Sequence, residues 1–404
     1  MNNAAYDFET LVNRTGQNAS KWDNMRRANP QVEENIPPFS VADLDIKTAP
    51  EIVQALKDHL DRAVLGYDSP GEDYWQALSS WMERRHNWTV QRDWLVCTPG
   101  VVTALYAAVN AFTQPGDGVL LFTPVYSPFY GAAQQNGREI VPCPLQYHEE
   151  GYTIDFADFE AKAKNPRNKL LLLCNPHNPV GRVWSREELW EIARICLQND
   201  VRIASDEIHF DLILPGHTHT VLANLGPEIA QNSIVCTAPS KSFNIAGLHC
   251  SNIFIPNGEM RDQFRRQLGT LAMGELNGLA YVACEAAYRR AEGWLDGLIA
   301  LIARNHDLLR RYIAENIPQI KALPLEGTYL QWLDCRGLGL DGKALMDLMQ
   351  QKALFFVSGG RAFAQECEGF VRVNIASPTH ALIDALERLA QSVKALPASP
   401  ALPV

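Results

Sequence analysis

Residues 233–244 read Ser-Ile-Val-Cys-Thr-Ala-Pro-Ser-Lys-Ser-Phe-Asn, an apolar run followed by a lysine between two serines. The run predicts a strand that ends at Thr237, and Gly247 marks a turn soon after it. Lys241 is poorly placed there for a salt bridge, but a desolvated lysine can lose its proton near neutral pH and form a Schiff base with an aldehyde cofactor. A solvated loop lysine is the alternative, and it is common because most lysines are exposed.

Length and charge limit the class of protein. The chain has 404 residues, which exceeds one compact core and predicts two domains. Its formal net charge of -10, without long Lys/Arg runs, argues against a nucleic-acid or anionic-membrane partner and favours a small molecule. Residues 1–10 are polar and acidic, and no stretch approaches the ~18 apolar residues that span a bilayer, so we expect a cytoplasmic protein without membrane contact.

Cysteine and histidine usage predicts neither disulfides nor a metal site. Among the nine cysteines no pair is spaced Cys-x-x-Cys, and Cys174, Cys196 and Cys236 lie inside apolar runs, as reduced core thiols do. The pair His217 and His219 lacks a nearby carboxylate or thiolate set, so no metal is expected.

The order of elements predicts an α/β fold. From Gly100 onward strands, loops and helices alternate, which is typical of a mainly parallel sheet between helices. A helix is expected over 101–112, and a capping box of Ser185 with Glu188 begins another. Thr48 is the expected N-cap of a helix over 50–60.

Four regions follow from this pattern. We expect an extended N-terminal arm over 1–48 that contributes to the small domain, and a large domain over 49–288. A smaller α+β domain is expected over 289–396, with a disordered tail over 397–404.

Four polar residues each come just after a predicted strand: Tyr126, Asn178, Asp206 and Lys241. In open α/β sheets, ligands bind outside the carboxyl ends of the strands, so these residues should converge on one crevice. In a pyridoxal phosphate site, Asp206 would pair with the pyridinium nitrogen, although a salt bridge or a helix N-cap would also use it. Asn178 would donate to the ring hydroxyl oxygen or form an Asx-turn, and Tyr126 would stack on the ring or lie in an ordinary loop.

Two further groups suit the anions of cofactor and substrate. Gly100, Val101 and Val102 begin a helix whose free amides favour a phosphate, although a plain glycine turn has the same sequence. Arg372 lies in the apolar run Phe-Val-Arg-Val-Asn, and arginine matches a carboxylate bidentately, so it is the candidate for the substrate α-carboxylate. A buried structural ion pair is the alternative for Arg372.

These motifs together resemble the fold-type I pyridoxal 5'-phosphate enzymes of the aspartate aminotransferase superfamily. Thr-Pro-Gly, Pro-Val-Tyr, Asn-Pro-His-Asn-Pro-Val-Gly, Ser-Asp-Glu-Ile-His, Ser-Lys-Ser-Phe-Asn and Phe-Val-Arg-Val-Asn occur in the order of that class I/II aminotransferase family. The chain is most similar to the cystathionine β-lyase (cysteine-S-conjugate β-lyase) branch, which includes the maltose-regulon modulator protein.

The resemblance implies a role for each site residue. It makes Lys241 the Schiff-base lysine, puts Asp206 on the pyridine nitrogen and Asn178 on the ring hydroxyl, and stacks Tyr126 on the ring. The amides of Gly100 to Val102 and Ser240 would hold the phosphate, Arg372 the substrate carboxylate, and Val41 and Ala42 would border the substrate. Tyr67 would reach the phosphate of a neighbouring subunit, which implies a homodimer; the N-terminal arm would likewise need a partner surface.

Two positions depart from typical aminotransferases. His209 stands where a cofactor-contacting tyrosine is usual, and His249 where an arginine is usual; the lyase branch shares both kinds of change. Ala238 replaces a common phosphate-binding hydroxyl, so phosphate affinity would rest more on Ser240, Thr237 and Tyr67.

Three functions are compatible with these residues. The favoured one is β-elimination from L-cystathionine or another cysteine S-conjugate, giving a thiol, pyruvate and ammonia. Aminotransfer diverges from it only after the α-proton is removed. A pyridoxal phosphate-binding regulator that contacts a protein partner is the third.

Overall fold

The computed structural model describes residues 6–62 and 64–397. The predicted tail therefore lies, apart from Pro397, outside the described residues, as do residues 1–5 and Ala63. Within the described ranges no helix has the length and apolarity needed to cross a membrane.

Three sheets are formed by the strands of the described residues. The strands are β1 (Leu95–Thr98), β2 (Gly118–Thr123), β3 (Glu139–Pro144), β4 (Gln146–His148), β5 (Gly151–Thr153), β6 (Asn168–Cys174), β7 (Arg202–Asp206), β8 (Ser233–Thr237), β9 (Ser251–Phe254), β10 (Lys321–Ala322), β11 (Leu330–Asp334), β12 (Ser358–Gly359) and β13 (Phe370–Asn374).

The largest sheet has seven strands in the order β1-β9-β8-β7-β6-β2-β3. Strands β3, β2, β6, β7 and β8 run parallel, whereas β9 pairs antiparallel with both β8 and β1. The central strands β2, β6 and β8 are buried along almost all of their length, as expected when helices cover both faces. This mixed sheet confirms the predicted α/β fold.

Helices surround the sheets. They are α1 (Ser20–Ala28), α2 (Pro50–Leu60), α3 (Glu72–His86), α4 (Val101–Phe112), α5 (Ser127–Gln134), α6 (Phe156–Ala163), α7 (Arg186–Gln198), α8 (Pro227–Gln231), α9 (Pro239–Ser242), α10 (Gly258–Thr270), α11 (Gly278–Arg290), α12 (Glu292–Asn316), α13 (Gly342–Asp347) and α14 (Thr379–Lys394).

Local signals located most of the predicted helices. Helix α4 has the predicted bounds, and the capping box of Ser185 and Glu188 is present at the start of α7. The predicted N-cap Thr48 is wrong: Ala49 precedes α2 and makes no side-chain cap bond. Pro50 begins that helix instead, because its fixed φ suits the first helical position.

The C-terminal part contains an antiparallel sheet of four strands in the order β10-β11-β13-β12. Helices α12 and α14 bury apolar faces in the same core as β11 and β13. This arrangement is the α+β architecture expected there; the boundaries at 288 and 396 stay a prediction.

The N-terminal arm packs on its own chain. Helix α1, which was not predicted, buries Trp22 and Met25 in one cluster with Phe356. Phe39 donates its amide to the Phe356 carbonyl at 2.8 Å and accepts from the Asn374 amide at 2.8 Å. The expectation that the arm needs a partner surface is therefore wrong for this stretch, because the C-terminal sheet supplies one.

All nine cysteines are free thiols, and each is buried except Cys97, which is half-buried. The prediction of reduced thiols in the core is confirmed.

Candidate active site

The predicted residues that follow strands meet at one edge of the large sheet. Asp206 ends β7, while Tyr126, Asn178 and Lys241 come within a few residues of the ends of β2, β6 and β8. These four strands are neighbours in the sheet, so their carboxyl ends open on the same cavity of about 460 Å³.

The cavity collects nearly every residue that the sequence indicated. Besides the four strand-end residues it is lined by Gly100, Val101, Val102, His209, Ser240, Arg372, Val41 and Ala42. Tyr67 does not line it: its side chain is 99% exposed on the surface.

Lys241 lies in the four-residue helix α9, just after the buried residue Ala238. Its Nζ donates to the carbonyl oxygen of Ala42 at 2.8 Å. Burial lowers the pKa of Lys241 to about 8, with the nearby Asp43 carboxylate opposing the shift. A sizeable fraction of neutral amine is therefore present near neutral pH, which a solvated loop lysine would not have.

Asp206 is a buried carboxylate that the described residues leave without a cationic partner in contact. Its Oδ1 accepts only the amide of Ile208 at 3.1 Å, an Asx-type turn rather than a salt bridge. Burial raises the pKa of Asp206 to about 7, although the hydrogen bond from the Ile208 amide lowers it in part. A cation brought next to it would restore the ionised form.

Arg372 reaches the cavity from β13 and is 5% exposed. One Nη donates to Asn178 Oδ1 at 2.8 Å, and the guanidinium lies 4.6 Å from the centre of the Phe363 ring. Burial lowers the pKa of Arg372 to about 10. The nearby hydroxyls of Tyr126 and Tyr329, when ionised, oppose this shift. No acidic side chain of the described residues pairs with it, so the alternative of a structural ion pair is wrong there.

The N-terminus of α4 provides backbone donors. Gly100 precedes it with φ of 107°, a conformation that favours glycine. The Gly100 amide already donates to the Thr98 carbonyl at 2.8 Å, which corrects the expectation for Gly100. Within the described residues the amides of Val101, Val102 and Thr103 have no backbone acceptor and are left for an anion. Thr237 is also unsuited to the role expected of it, because its hydroxyl donates to the Asn252 carbonyl at 2.9 Å.

His209 is buried, lines the same cavity as Asp206 and packs edge-on against Tyr329, with 5.7 Å between ring centres. Burial lowers the pKa of His209 well below its ordinary value, and Lys241 and Arg372 add to the effect. Its Nδ1 is buried without a hydrogen-bond partner in the described structure. The site thus presents a neutral imidazole where typical relatives are expected to have a phenol.

Comparison with known proteins agrees with this geometry. Residues 34–389 match the family described as aminotransferase class I and II. The chain belongs to that family.

Similar members of the aminotransferase class I and II family cover almost the whole chain. Cystathionine beta-lyase PatB of Bacillus subtilis is 40% identical over 95% of this chain and 98% of its own. Protein MalY of Escherichia coli is 30% identical over 97% of this chain and 100% of its own. The crystal structure of cystalysin from Treponema denticola, which contains a pyridoxal 5'-phosphate cofactor, has a TM-score of 0.95 and 44% identity over 96% of this chain and 99% of that one. The predicted resemblance is confirmed.

Two asparagines of this aminotransferase-family chain have structural roles that were not predicted. Asn244 exchanges two hydrogen bonds of 3.0 Å with the backbone of Leu44. Asn374 donates to the carbonyls of Val41 at 2.9 Å and Asp43 at 3.0 Å. The segment 41–44 is thereby fixed over Lys241. Asn244 ends the motif Ser-Lys-Ser-Phe-Asn and Asn374 ends Phe-Val-Arg-Val-Asn, but the partners of both side chains are far away in sequence.

Asp211 was also missed. It is fully buried, and its carboxylate accepts from Ser242 Oγ at 2.6 Å, Trp81 Nε1 at 3.0 Å and His86 Nε2 at 2.8 Å. Ser242 is the residue after Lys241, so Asp211 anchors the lysine helix to α3. No spacing in the sequence indicates this contact.

Proposed function

We propose that this protein is a pyridoxal 5'-phosphate-dependent carbon–sulfur β-lyase that acts on L-cystathionine or other cysteine S-conjugates. The observation that carries the proposal is one cavity that holds a lysine of lowered pKa, a buried carboxylate and a buried arginine. Among residues 6–62 and 64–397 the carboxylate has no cationic contact and the arginine has no acidic partner. Similarity to a cystathionine beta-lyase and to cystalysin supports the cofactor and the reaction type.

The residues present fit this cofactor. Asp206 offers an anion to the pyridinium nitrogen, which supplies the cation that its buried carboxylate lacks. The Val101 and Val102 amides, with the Ser240 hydroxyl, suit a phosphate. Asn178 and His209 are available to the ring hydroxyl. When bound, the cofactor supplies an electron-withdrawing ring that stabilises negative charge on the substrate α-carbon.

The protein residues then orient the substrate and move its protons. Arg372 binds the α-carboxylate, and its bond to Asn178 holds the guanidinium in the cavity. The neutral Nζ of Lys241 accepts the α-proton, because its lowered pKa leaves a lone pair free. The Ala42 carbonyl, 2.8 Å from that nitrogen, holds the amine next to the substrate position. Tyr126 and Val41 border the same space.

Aminotransfer is the second candidate, supported by the description of the family itself. The two reactions share every residue named above and differ in where the proton goes after it leaves the α-carbon. In β-elimination a thiolate leaves the substrate β-carbon, whereas in aminotransfer no group leaves the β-carbon and Lys241 would deliver the proton to another atom.

One assay separates these reactions. Purified holoenzyme is given L-cystathionine and, separately, an amino acid with a 2-oxo acid acceptor. We expect pyruvate and thiol from cystathionine at a rate well above transamination. Rapid transamination without pyruvate would show that the protein is an aminotransferase and not a lyase. Cofactor binding without either reaction would favour the third function, a regulator that contacts a protein partner.

We further propose a homodimer in which Tyr67 serves the partner's site. Tyr67 lies on the surface between the exposed residues Val64 and Leu65 on one side and a Pro/Gly turn on the other. Exposed apolar residues grouped in this way are typical of an interface. A regulatory protein partner and the cytoplasmic location stay predictions from the sequence.

A further inference from the structure

A second buried carboxylate adjoins Asp206. Glu207 is the next residue in the motif Ser-Asp-Glu-Ile-His, and it has no role in the chemistry proposed so far. Its side chain is fully buried, and it does not line the active-site cavity, whereas Asp206 does. Two carboxylates that are neighbours in the chain are therefore both removed from water, one at the wall of the cavity and one outside it.

Three neighbours hold the Glu207 carboxylate. Its Oε1 accepts from Ser205 Oγ at 2.8 Å and from the Leu222 amide at 3.1 Å. Its Oε2 lies 2.8 Å from Nε2 of His219, whose side chain is 2% exposed. An ionised carboxylate only accepts hydrogen bonds, so this set of contacts suits the anion.

His219 contacts Glu207 as a neutral donor. The Nδ1 atom of its ring is buried and has no hydrogen-bond partner within the described ranges. An imidazolium carries a proton on both ring nitrogens, and the Nδ1 proton would then lack an acceptor in a buried position. With its one proton on Nε2, the ring donates to Glu207 and does not cancel the charge. Among residues 6–62 and 64–397 no lysine or arginine is in ion-pair contact with Glu207.

The two carboxylates act on each other through their charges. Burial raises the pKa of Asp206 to about 7, the Glu207 carboxylate adds to the rise, and Lys241 opposes it. Burial raises the pKa of the nearby thiols and lowers the pKa of the nearby imidazoles, so these groups are neutral near neutral pH; they are Cys174, Cys236, His86 and His209. The charges that matter around this pair are therefore the two carboxylates and Lys241.

A buried anion without a cationic contact is unfavourable, and here two of them are adjacent. A cation placed against Asp206 is attracted by both carboxylates, whereas a neutral group in the same place gains nothing from the charge of Glu207. We propose that Glu207 is a positioning residue whose charge, added to that of Asp206, strengthens binding of the protonated ring nitrogen of pyridoxal 5'-phosphate, and that His219 holds it in place. The inference rests on the cofactor of the proposed function.

The test compares two aldehydes that differ at one ring atom. Pyridoxal 5'-phosphate and its 1-deaza analogue, in which C–H replaces the ring nitrogen, are titrated into the cofactor-free full chain. Binding is followed by the quenching of tryptophan fluorescence. The titrations are run about 1.5 pH units above the pKa of about 7 of Asp206, so that this carboxylate is ionised before the aldehyde binds.

Glu207→Gln keeps the size of the side chain and removes its charge. It should lower the affinity for pyridoxal 5'-phosphate about tenfold, as expected for unit charges about 10 Å apart at an effective dielectric constant of about 20, and leave the affinity for the deaza analogue unchanged. His219→Lys puts a cation beside Glu207 and should reduce the same preference. His219→Gln, the matched control, keeps a neutral donor and should change neither affinity.

Equal losses for the two aldehydes in Glu207→Gln would show a structural role and overturn the proposal. Equal effects of His219→Lys and His219→Gln on the preference would also overturn it, and that comparison decides the question if Glu207→Gln does not fold. Tight binding of pyridoxal 5'-phosphate with an unchanged preference in both charge variants would remove Glu207 and leave the cofactor assignment intact. If the wild type binds neither aldehyde, the proposed function is wrong and this proposal falls with it.

Discussion

At the scale of single residues, Asp206 makes stability depend on pH. Its pKa is raised from 3.8 in the ordinary carboxyl to about 7 in the folded protein, mainly by burial. Between these values the folded protein without cofactor binds more protons than the unfolded chain. Its free energy of unfolding should therefore fall as pH rises through that window.

The comparison that isolates this effect is between cofactor-free wild type and Asp206→Asn, since Lys241, whose pKa depends on the Asp206 charge, titrates near 8, above this window. We expect the melting temperature of the asparagine variant minus that of wild type to increase as pH rises from about 4 to about 7. A difference that does not change with pH would show that Asp206 is ionised in the folded protein throughout.

Lys241→Ala should abolish turnover and leave the protein folded. The lysine amine makes one hydrogen bond, to Ala42, whose loss costs only about 1 kcal/mol. Absorbance of lysine-bound cofactor, bleached by borohydride in the wild type, should disappear as well. A variant that keeps both the bleachable colour and normal turnover would contradict the assignment.

Arg372→Ala should damage amino-acid binding far more than cofactor binding. The change removes a buried partner of the substrate carboxylate. The transition state should therefore lose ~3 kcal/mol or more of stabilisation, which lowers kcat/KM about 100-fold. Cofactor retention is measured in parallel, with Arg372→Lys as a variant that keeps the charge but lacks the bidentate fork. Equal loss of substrate and cofactor would point to a structural role.

At the scale of elements, the lysine helix α9 is too short to be stable alone. Asp211 fixes it through Ser242 and at the same time accepts from Trp81 and His86 of α3. Asp211→Ala should leave three buried donors without an acceptor and lower the free energy of unfolding by ~3 kcal/mol or more.

Urea unfolding of Asp211→Ala is compared with that of Asp262→Ala, whose side chain is exposed on α10. The exposed control should change stability by no more than about 0.5 kcal/mol. Similar midpoints for the two variants would mean that the Asp211 network contributes nothing net to the fold.

At the scale of the whole molecule, a shared active site predicts complementation. Mixed dimers of Lys241→Ala and Tyr67→Ala would carry one doubly defective site and one intact site. Activity should therefore return after subunit exchange, above the sum of the separate variants. Mixing Lys241→Ala with Arg372→Ala is the control without recovery, because both residues line the cavity of the same chain. An active monomer at assay concentration would contradict the shared site.

The sequence by itself determined the sheet and the residues at its edge. Apolar runs locate β2, β6, β7 and β8, because strands buried on both faces need continuous apolar sequence. Since ligands bind at the carboxyl ends of such strands, Lys241 and Asp206 could be placed in one crevice without coordinates. Local chemistry was equally readable: the capping box of α7 depends on two residues only three positions apart.

Only the tertiary structure decided which polar groups remain free for a ligand. Thr237 and the Gly100 amide suited a phosphate by type and position, yet each donates to a protein carbonyl. The bonds that close the site join residues 200 and 333 positions apart, Leu44 to Asn244 and Val41 to Asn374. A hydrogen bond depends on distance and direction in space, and sequence periodicity carries no information about either between such distant segments.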